Sequence, residues 1–173
     1  KGVAVEHRAI VNQVVWKRSA FGLGADDAVM VKTAATFDLS VWEYWSALLS
    51  GARLVVAAPS RHPDPGYLNR LLAAERVTTL HLVPSMLEAL LTESGDRLAG
   101  SLRRVLAIGE ALPAGLAQRF RTGHRAGLWN LYGPTETTVW STTAVITRSS
   151  APTIGRPIAN TSIRILDPRG ELT

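Results

Sequence analysis

The sequence predicts an α/β protein with a doubly wound, mainly parallel sheet covered by helices on both faces. Three observations predict it. β-prone runs alternate with stretches whose apolar residues recur at helical spacing, an order that implies parallel strands joined by helical crossovers. The central β-prone runs are continuously apolar, as burial on both faces of a sheet requires. The chain's 173 residues, 46% hydrophobic and 19% charged, suffice for one domain with its own core.

The elements follow in order. Residues 6–21 carry Ile10, Val11, Val14 and Val15 near helical spacing and stop before Gly22, predicting a first helix. Residues 28–36 are a short β-prone run. Ser40 and Glu43 have the types and spacing of a capping box, a hydroxyl at the N-cap and a carboxylate at N3. They open a helix to about residue 50, stopped by Gly51. Residues 53–58 form an apolar strand closed by Pro59, and 61–66 form a turn-rich loop. A helix over 67–75, a strand over 78–83 and a helix over 85–92 come next. Strand 104–108 ends at Gly109-Glu110, and helix 113–121 has Pro113 near its start. Gly127, Leu128 and Trp129 read as a strand leading into residues 130–138. Two late strands, 142–147 and 162–166, are separated by a Pro/Gly-rich linker over 151–157. Neither an internal repeat nor a low-complexity tract is present.

Bulk properties bound the function. Without cysteine there is no disulfide framework and no thiolate metal site, so a cytoplasmic setting is expected. No apolar run approaches the roughly 20 residues of a membrane span, so no membrane partner is expected. The chain opens Lys-Gly-Val with no initiator methionine and no apolar leader, and it reads as a piece of something longer. The net charge of +5 comes from scattered arginines, the tightest cluster being Arg103-Arg104. With no aromatics interleaved, a solvated basic surface is expected rather than nucleic-acid binding.

The most chemically dense stretch is Asn130-Leu131-Tyr132-Gly133-Pro134-Thr135-Glu136-Thr137-Thr138. A ring there can stack on a nucleobase, hydroxyls can bond phosphate oxygens, and a carboxylate can hold a divalent cation. The end of a strand in an α/β sheet is also where nucleotide ligands sit. Asp38 stands just before a predicted helix, where a carboxylate faces the positive helix end. His81 lies in an otherwise apolar strand and by itself reads as a core histidine. His7, His62 and His124 lack metal-ligand spacing and read as surface residues.

Taken together the chain resembles the adenylation domains of nonribosomal peptide synthetases, within the adenylate-forming superfamily. Phe37-Asp38-Leu39-Ser40-Val41-Trp42-Glu43 resembles the family's substrate-amine motif. Residues 130–138 resemble its Asn-x-Tyr-Gly-Pro-Thr-Glu motif, and Lys1-Gly2 resembles the tail of its phosphate loop. Residues 154–161 and 165–172 fit the stretch beyond. The resemblance covers essentially the whole chain. It implies a flavodoxin-like subdomain over residues 1–150 that selects the substrate, with 151–173 leading to the next subdomain.

The resemblance also implies roles. Asp38 would bind the α-ammonium of an amino acid. Tyr132 would stack on adenine, with Gly109, Glu110 and Ala111 on the other face, and Asn130 would hydrogen-bond the adenine amino group. Gly133 belongs to the same nucleotide site. Thr135 would contact the α-phosphate and Glu136 would help hold Mg²⁺. The implied reaction joins an amino acid and ATP into aminoacyl-AMP and pyrophosphate. The aminoacyl group then passes to the phosphopantetheine thiol of a carrier-domain partner. In this reaction the protein mainly positions groups and neutralises charge.

The substrate pocket implied by the family pattern is lined by Asp38, Leu39, Trp42, His81, Leu106, Ile108, Leu131, Val139 and Trp140. Two indoles fill much of its volume, which predicts a small substrate side chain. Leu39 and Trp140 lean to cysteine, Trp42 with His81 leans to serine, and Ile108 departs from both patterns. The phosphate-loop body, a ribose-binding aspartate and a catalytic lysine are expected outside these residues, so the segment alone is expected to be inactive. Two other readings remain at this point: a ligase for acyl or aryl acids, and a nucleotide-binding module without chemistry.

Overall fold

The four- and five-residue runs Ala28–Val31, Thr79–Leu82 and Arg104–Ile108 bury every residue, so each of these strands must be covered on both faces. The computed structural model, which describes residues 2–148 and 151–173, meets that demand. Lys1 of the phosphate-loop resemblance and the boundary expected at residue 150 lie outside the described residues. Strands β1 (Ala28–Val31), β2 (Arg53–Val56), β3 (Thr79–Leu82), β4 (Arg104–Ile108) and β5 (Gly127–Tyr132) pair in parallel in the order 2-1-3-4-5. That is the strand order of flavodoxin-like doubly wound sheets. Strands β6 (Thr142–Val145) and β7 (Arg156–Pro157) extend it antiparallel beyond β5.

Alternation along each strand separates two cores. On β4, Val105 and Ala107 join a cluster with α3 (Pro65–Ala74), α4 (Pro84–Glu93) and α5 (Ala114–Gly123). Leu106 and Ile108 join a second cluster with α1 (His7–Phe21) and α2 (Leu39–Leu48). The apolar residues of the implied substrate pocket belong to this second core. Arg104 fixes α1 over the sheet: its Nε donates to the Phe21 carbonyl at 2.6 Å, while Nη1 pairs with buried Asp27 at 2.7 Å.

Several boundaries differ from the sequence expectation, each for a local reason. The β-prone run 28–36 yields a strand only to Val31, because the Glu43 carboxylate accepts from the Lys32 and Thr33 amides at 3.1 and 2.9 Å. The capping box expected at Ser40 and Glu43 therefore does not form. Asp38 is the N-cap residue without a capping side-chain bond, and Ser40 Oγ donates to the Phe37 carbonyl. Helix α3 starts at Pro65, inside the predicted loop, since Asp64 accepts from the Tyr67 amide at 2.9 Å and proline suits the first turn. β5 runs on through Tyr132, so the first three residues of the dense motif are strand rather than turn.

The predicted strand 162–166 is absent: only a bridge between Leu166 and Leu172 forms, around a turn in which Asp167 accepts from the Arg169 and Glu171 amides. Part of the expected linker instead becomes β7. His124 is not a plain surface residue either. Its ring stacks on Phe120 at 4.6 Å and its Nε2 accepts from the Leu98 amide at 3.2 Å.

Candidate functional site

The carboxyl ends of β1, β3, β4 and β5 open onto two adjoining clefts. Ligands in open α/β sheets lie at such ends, where the strand order reverses, here between β1 and β3. The first cleft, of about 390 Å³, is lined by Gly109, Glu110, Ala111, Asn130, Leu131, Tyr132, Gly133, Pro134 and Ile154. The second, of about 570 Å³, runs from the loop after β1 to residues 133–139. Gly109, Gly133 and Pro134 border both, so a ligand in one cleft abuts a ligand in the other.

In the first cleft Tyr132 is 53% exposed, leaving a ring face free for stacking. Asn130 is buried and donates its amide to the Thr153 carbonyl at 2.9 Å, tying the edge segment to β5. Glu110 accepts from the Ser85 amide and hydroxyl, both at 2.9 Å, so the loop after β4 is pinned to the start of α4. Gly109 has φ +91°, which favours glycine. At Gly133 the constraint is space: a Cβ would lie 2.3 Å from the Trp140 Cα. The chain doubles back there, with the Ser141 amide donating to the Tyr132 carbonyl. The short 3₁₀ turn Thr135–Thr137 then sets Thr135 at the rim of the second cleft. Glu136 is exposed beside it. A hydroxyl and a carboxylate are hard oxygen donors, which fit Mg²⁺.

The second cleft brings together Asp38, Leu39, Ile108 and Val139 from three sequence segments. Asp38 is half-buried at the start of α2, and its loop is held by Glu43 through Lys32 and Thr33. Burial raises the Glu43 pKa, against the donors it accepts from. Trp42, His81, Leu106 and Trp140 form a fully buried layer behind the cleft lining, and Leu131 is also buried. The two indoles pack with centroids 4.9 Å apart. Thus the structure gathers the apolar members of the predicted pocket into one core, with Asp38 and His81 beside it, but divides the set into a lining and a layer behind it.

Some contributors were not picked out from the sequence. His62 and Lys32 also line the second cleft. Gln13 donates to the carbonyls of Thr138, at 2.7 Å, and Trp140. Thr138 and Val139 need that support, since both take left-handed φ values, 68° and 74°. Lys17 is fully buried against His81. Gln13 and Lys17 flank Val14 on the buried stripe of α1, and a polar residue inside an apolar helical stripe is the signal that could have found them.

A model of the family described as AMP-binding enzyme matches residues 1–173. Tyrocidine synthase 3 of Brevibacillus parabrevis is 43% identical over 175 residues, 99% of this chain and 3% of that protein. A four-domain nonribosomal peptide synthetase, holo-AB3403 bound to AMP and glycine, superposes with TM-score 0.90 at 32% identity, over 99% of this chain and 13% of that one. The FmoA3 synthetase bound to alpha-methyl-L-serine-AMP gives TM-score 0.86 at 33% identity, over 92% of this chain and 19% of that one. The chain thus spans a small part of the proteins it matches.

Proposed function

The chain belongs to the AMP-binding enzyme family, among the adenylation domains of nonribosomal peptide synthetases, and on that premise we propose that it selects the substrate of an amino-acid-adenylating ligase. Asp38 carries the reading. Its carboxylate stands at the rim of a cleft that is otherwise largely apolar and abuts the Tyr132 cleft. An anion there pairs with an α-ammonium and has no use for a fatty or aryl acid.

In this reading ATP occupies the Tyr132 cleft, the adenine between that ring and residues 109–111. A substrate carboxylate oxygen attacks the α-phosphorus in line. The new O–P bond forms as the bond to the pyrophosphate oxygen breaks, and pyrophosphate leaves with the electron pair. Thr135 bonds the α-phosphate where the two clefts meet, and Asp38 fixes the amine end, so the protein contributes chiefly orientation. Mg²⁺, held in part by Glu136, supplies charge neutralisation at the phosphates when bound. The aminoacyl group then goes to a carrier-domain thiol. The indole pair behind the lining supports a small side chain, serine- or cysteine-like. A serine derivative as its AMP adduct in FmoA3 and glycine in the four-domain synthetase fit that size class.

The test is ATP–pyrophosphate exchange by the complete protein carrying this chain, with all amino acids and a panel of aryl and fatty acids. Amino-acid-dependent exchange is expected, strongest with short side chains, and Asp38→Ala should lower it at least 100-fold, roughly the loss of a buried charge-assisted contact. Exchange driven by aryl or fatty acids, or an undiminished Asp38→Ala variant, would overturn the reading.

A further inference from the structure

A lysine is seldom fully buried, because dehydrating its charge is expensive and an apolar residue would fill the same space more favourably. Lys17 on α1 is nonetheless 0% exposed. Its Nζ lies 2.6 Å from His81 Nε2 and 3.0 Å from Ser46 Oγ, and that hydroxyl in turn donates to the Trp42 carbonyl. Nζ also sits 5.9 Å from the Trp42 ring centroid and 5.6 Å from that of Trp140. The amine is thus surrounded by three of the residues that form the layer behind the substrate cleft.

The polar atoms of those three residues are the second observation. His81 Nδ1, Trp42 Nε1 and Trp140 Nε1 are all buried and none has a hydrogen-bond partner among the described residues. Indole nitrogens donate only, and an ammonium donates only. When Lys17 is charged, His81 Nε2 must accept, and the proton of the neutral ring sits on Nδ1. The cluster then presents donors and no free acceptor.

We propose that Lys17 is a positioning residue for substrate selection: it holds the His81 ring and its tautomer in the layer behind the cleft lining, so that Nδ1–H stands as an unpaired donor for a substrate side chain that reaches into that layer. The inference rests on the amino-acid-adenylating reading above and deepens it. A hydroxyl oxygen meets the requirement well, whereas a methyl group fails it and a thiol is a weak acceptor. Buried donors left unpaired disfavour the substrate that cannot pair them.

Electrostatics give the arrangement a pH dependence. Burial is the largest influence on Lys17 and lowers its pKa to about 7, with Glu43 of α2 opposing and Arg104 of β4 reinforcing the shift. His81 on β3 is held well below its ordinary range by burial, by Lys17 and by Lys32 after β1, so it stays neutral. Below about pH 7 the Lys17 ammonium enforces one tautomer. Above that the free amine both donates and accepts, and either tautomer fits.

The experiment measures kcat/KM in pyrophosphate exchange for paired substrates of like shape, serine against alanine and threonine against valine. The complete wild-type protein and its Lys17→Met variant are compared, and Met keeps most of the side chain's length while removing its donors. Wild type should favour the acceptor-bearing member, and Lys17→Met should shrink that ratio about tenfold, roughly one buried hydrogen bond. In the wild type alone, with no variant needed, the ratio should fall as pH rises through 7. A ratio unchanged by Lys17→Met and flat with pH would overturn the role of Lys17, and so would a wild-type preference for the apolar member. Failure of every amino acid to support exchange would instead sink the underlying amino-acid reading.

Discussion

Lys17 lies among two indoles and an imidazole, and its pKa has dropped to about 7 from the ordinary lysine value of 10.5. The sign of its effect on stability follows from proton counting. Between pH 7 and 10.5 the unfolded chain holds the lysine proton and the folded chain releases it. Stability therefore rises with pH across that window, and the penalty of burying Lys17 is greatest at and below pH 7. Lys17→Met removes the penalty. The variant should melt above wild type at pH 7, and the gap between their Tm values should narrow steadily toward pH 10. A gap that is constant with pH would show that Lys17 is charged to the same extent in both states. Glu43, whose carboxyl burial pushes up, is a cap expected from the sequence that becomes a buried carboxylate, and its three accepted bonds shape the loop before Asp38.

Among the elements, the connection from β5 to β6 carries the most chemistry on the least regular backbone. Tyr132, Thr135, Val139 and Trp140 all lie in or next to it. Thr138 and Val139 are both β-branched and both left-handed, which costs on the order of 1–3 kcal/mol each and persists only under external restraint. Gln13 of α1 supplies that restraint through the carbonyls on either side of Val139. Gln13→Leu keeps the volume and removes both bonds. It should destabilise the fold by about 2 kcal/mol in urea denaturation. In the complete protein it should also lower kcat/KM for the amino acid more than it changes ATP binding. Equal effects on both substrates would show that Gln13 supports the fold as a whole and not this segment.

For the whole molecule, parallel strands send every carboxyl end to one side, which places Asp38, His81, Ile108 and Tyr132 within one region although 94 residues separate the first from the last. The antiparallel β6 and β7 then wall that side beyond β5. Gly155 makes the outer pairing possible: its φ is +78° and a Cβ there would lie 2.0 Å from the Thr143 carbonyl oxygen. Gly155→Ala should peel β7 from β6. Amide hydrogen exchange is expected to speed up in Thr142–Val145 and to stay unchanged in β1, β3 and β4. Faster exchange throughout the sheet would mean instead that the outer strands hold the core together.

The sequence by itself determined the fold class, the order of strands and helices, and the dense motif at residues 130–138. Apolar runs, helical periodicity and turn residues are local signals, and most elements obey them to within a few residues, the exceptions being the strand expected at 162–166, which does not form, and β7, which arises in the expected linker. The resemblance carried by Phe37 to Glu43 and Asn130 to Thr138 also nominated the residues proposed for the substrate pocket. Tertiary structure decided which of those residues line the cleft and which stand behind it. It turned Glu43 from a cap into a loop anchor, made β7 from an expected linker, and set Lys17 against His81 across 64 residues of chain. Those outcomes depend on packing α1 and α2 against the sheet. Only that contact expels water from Lys17, His81 and the indoles, and no local pattern encodes it.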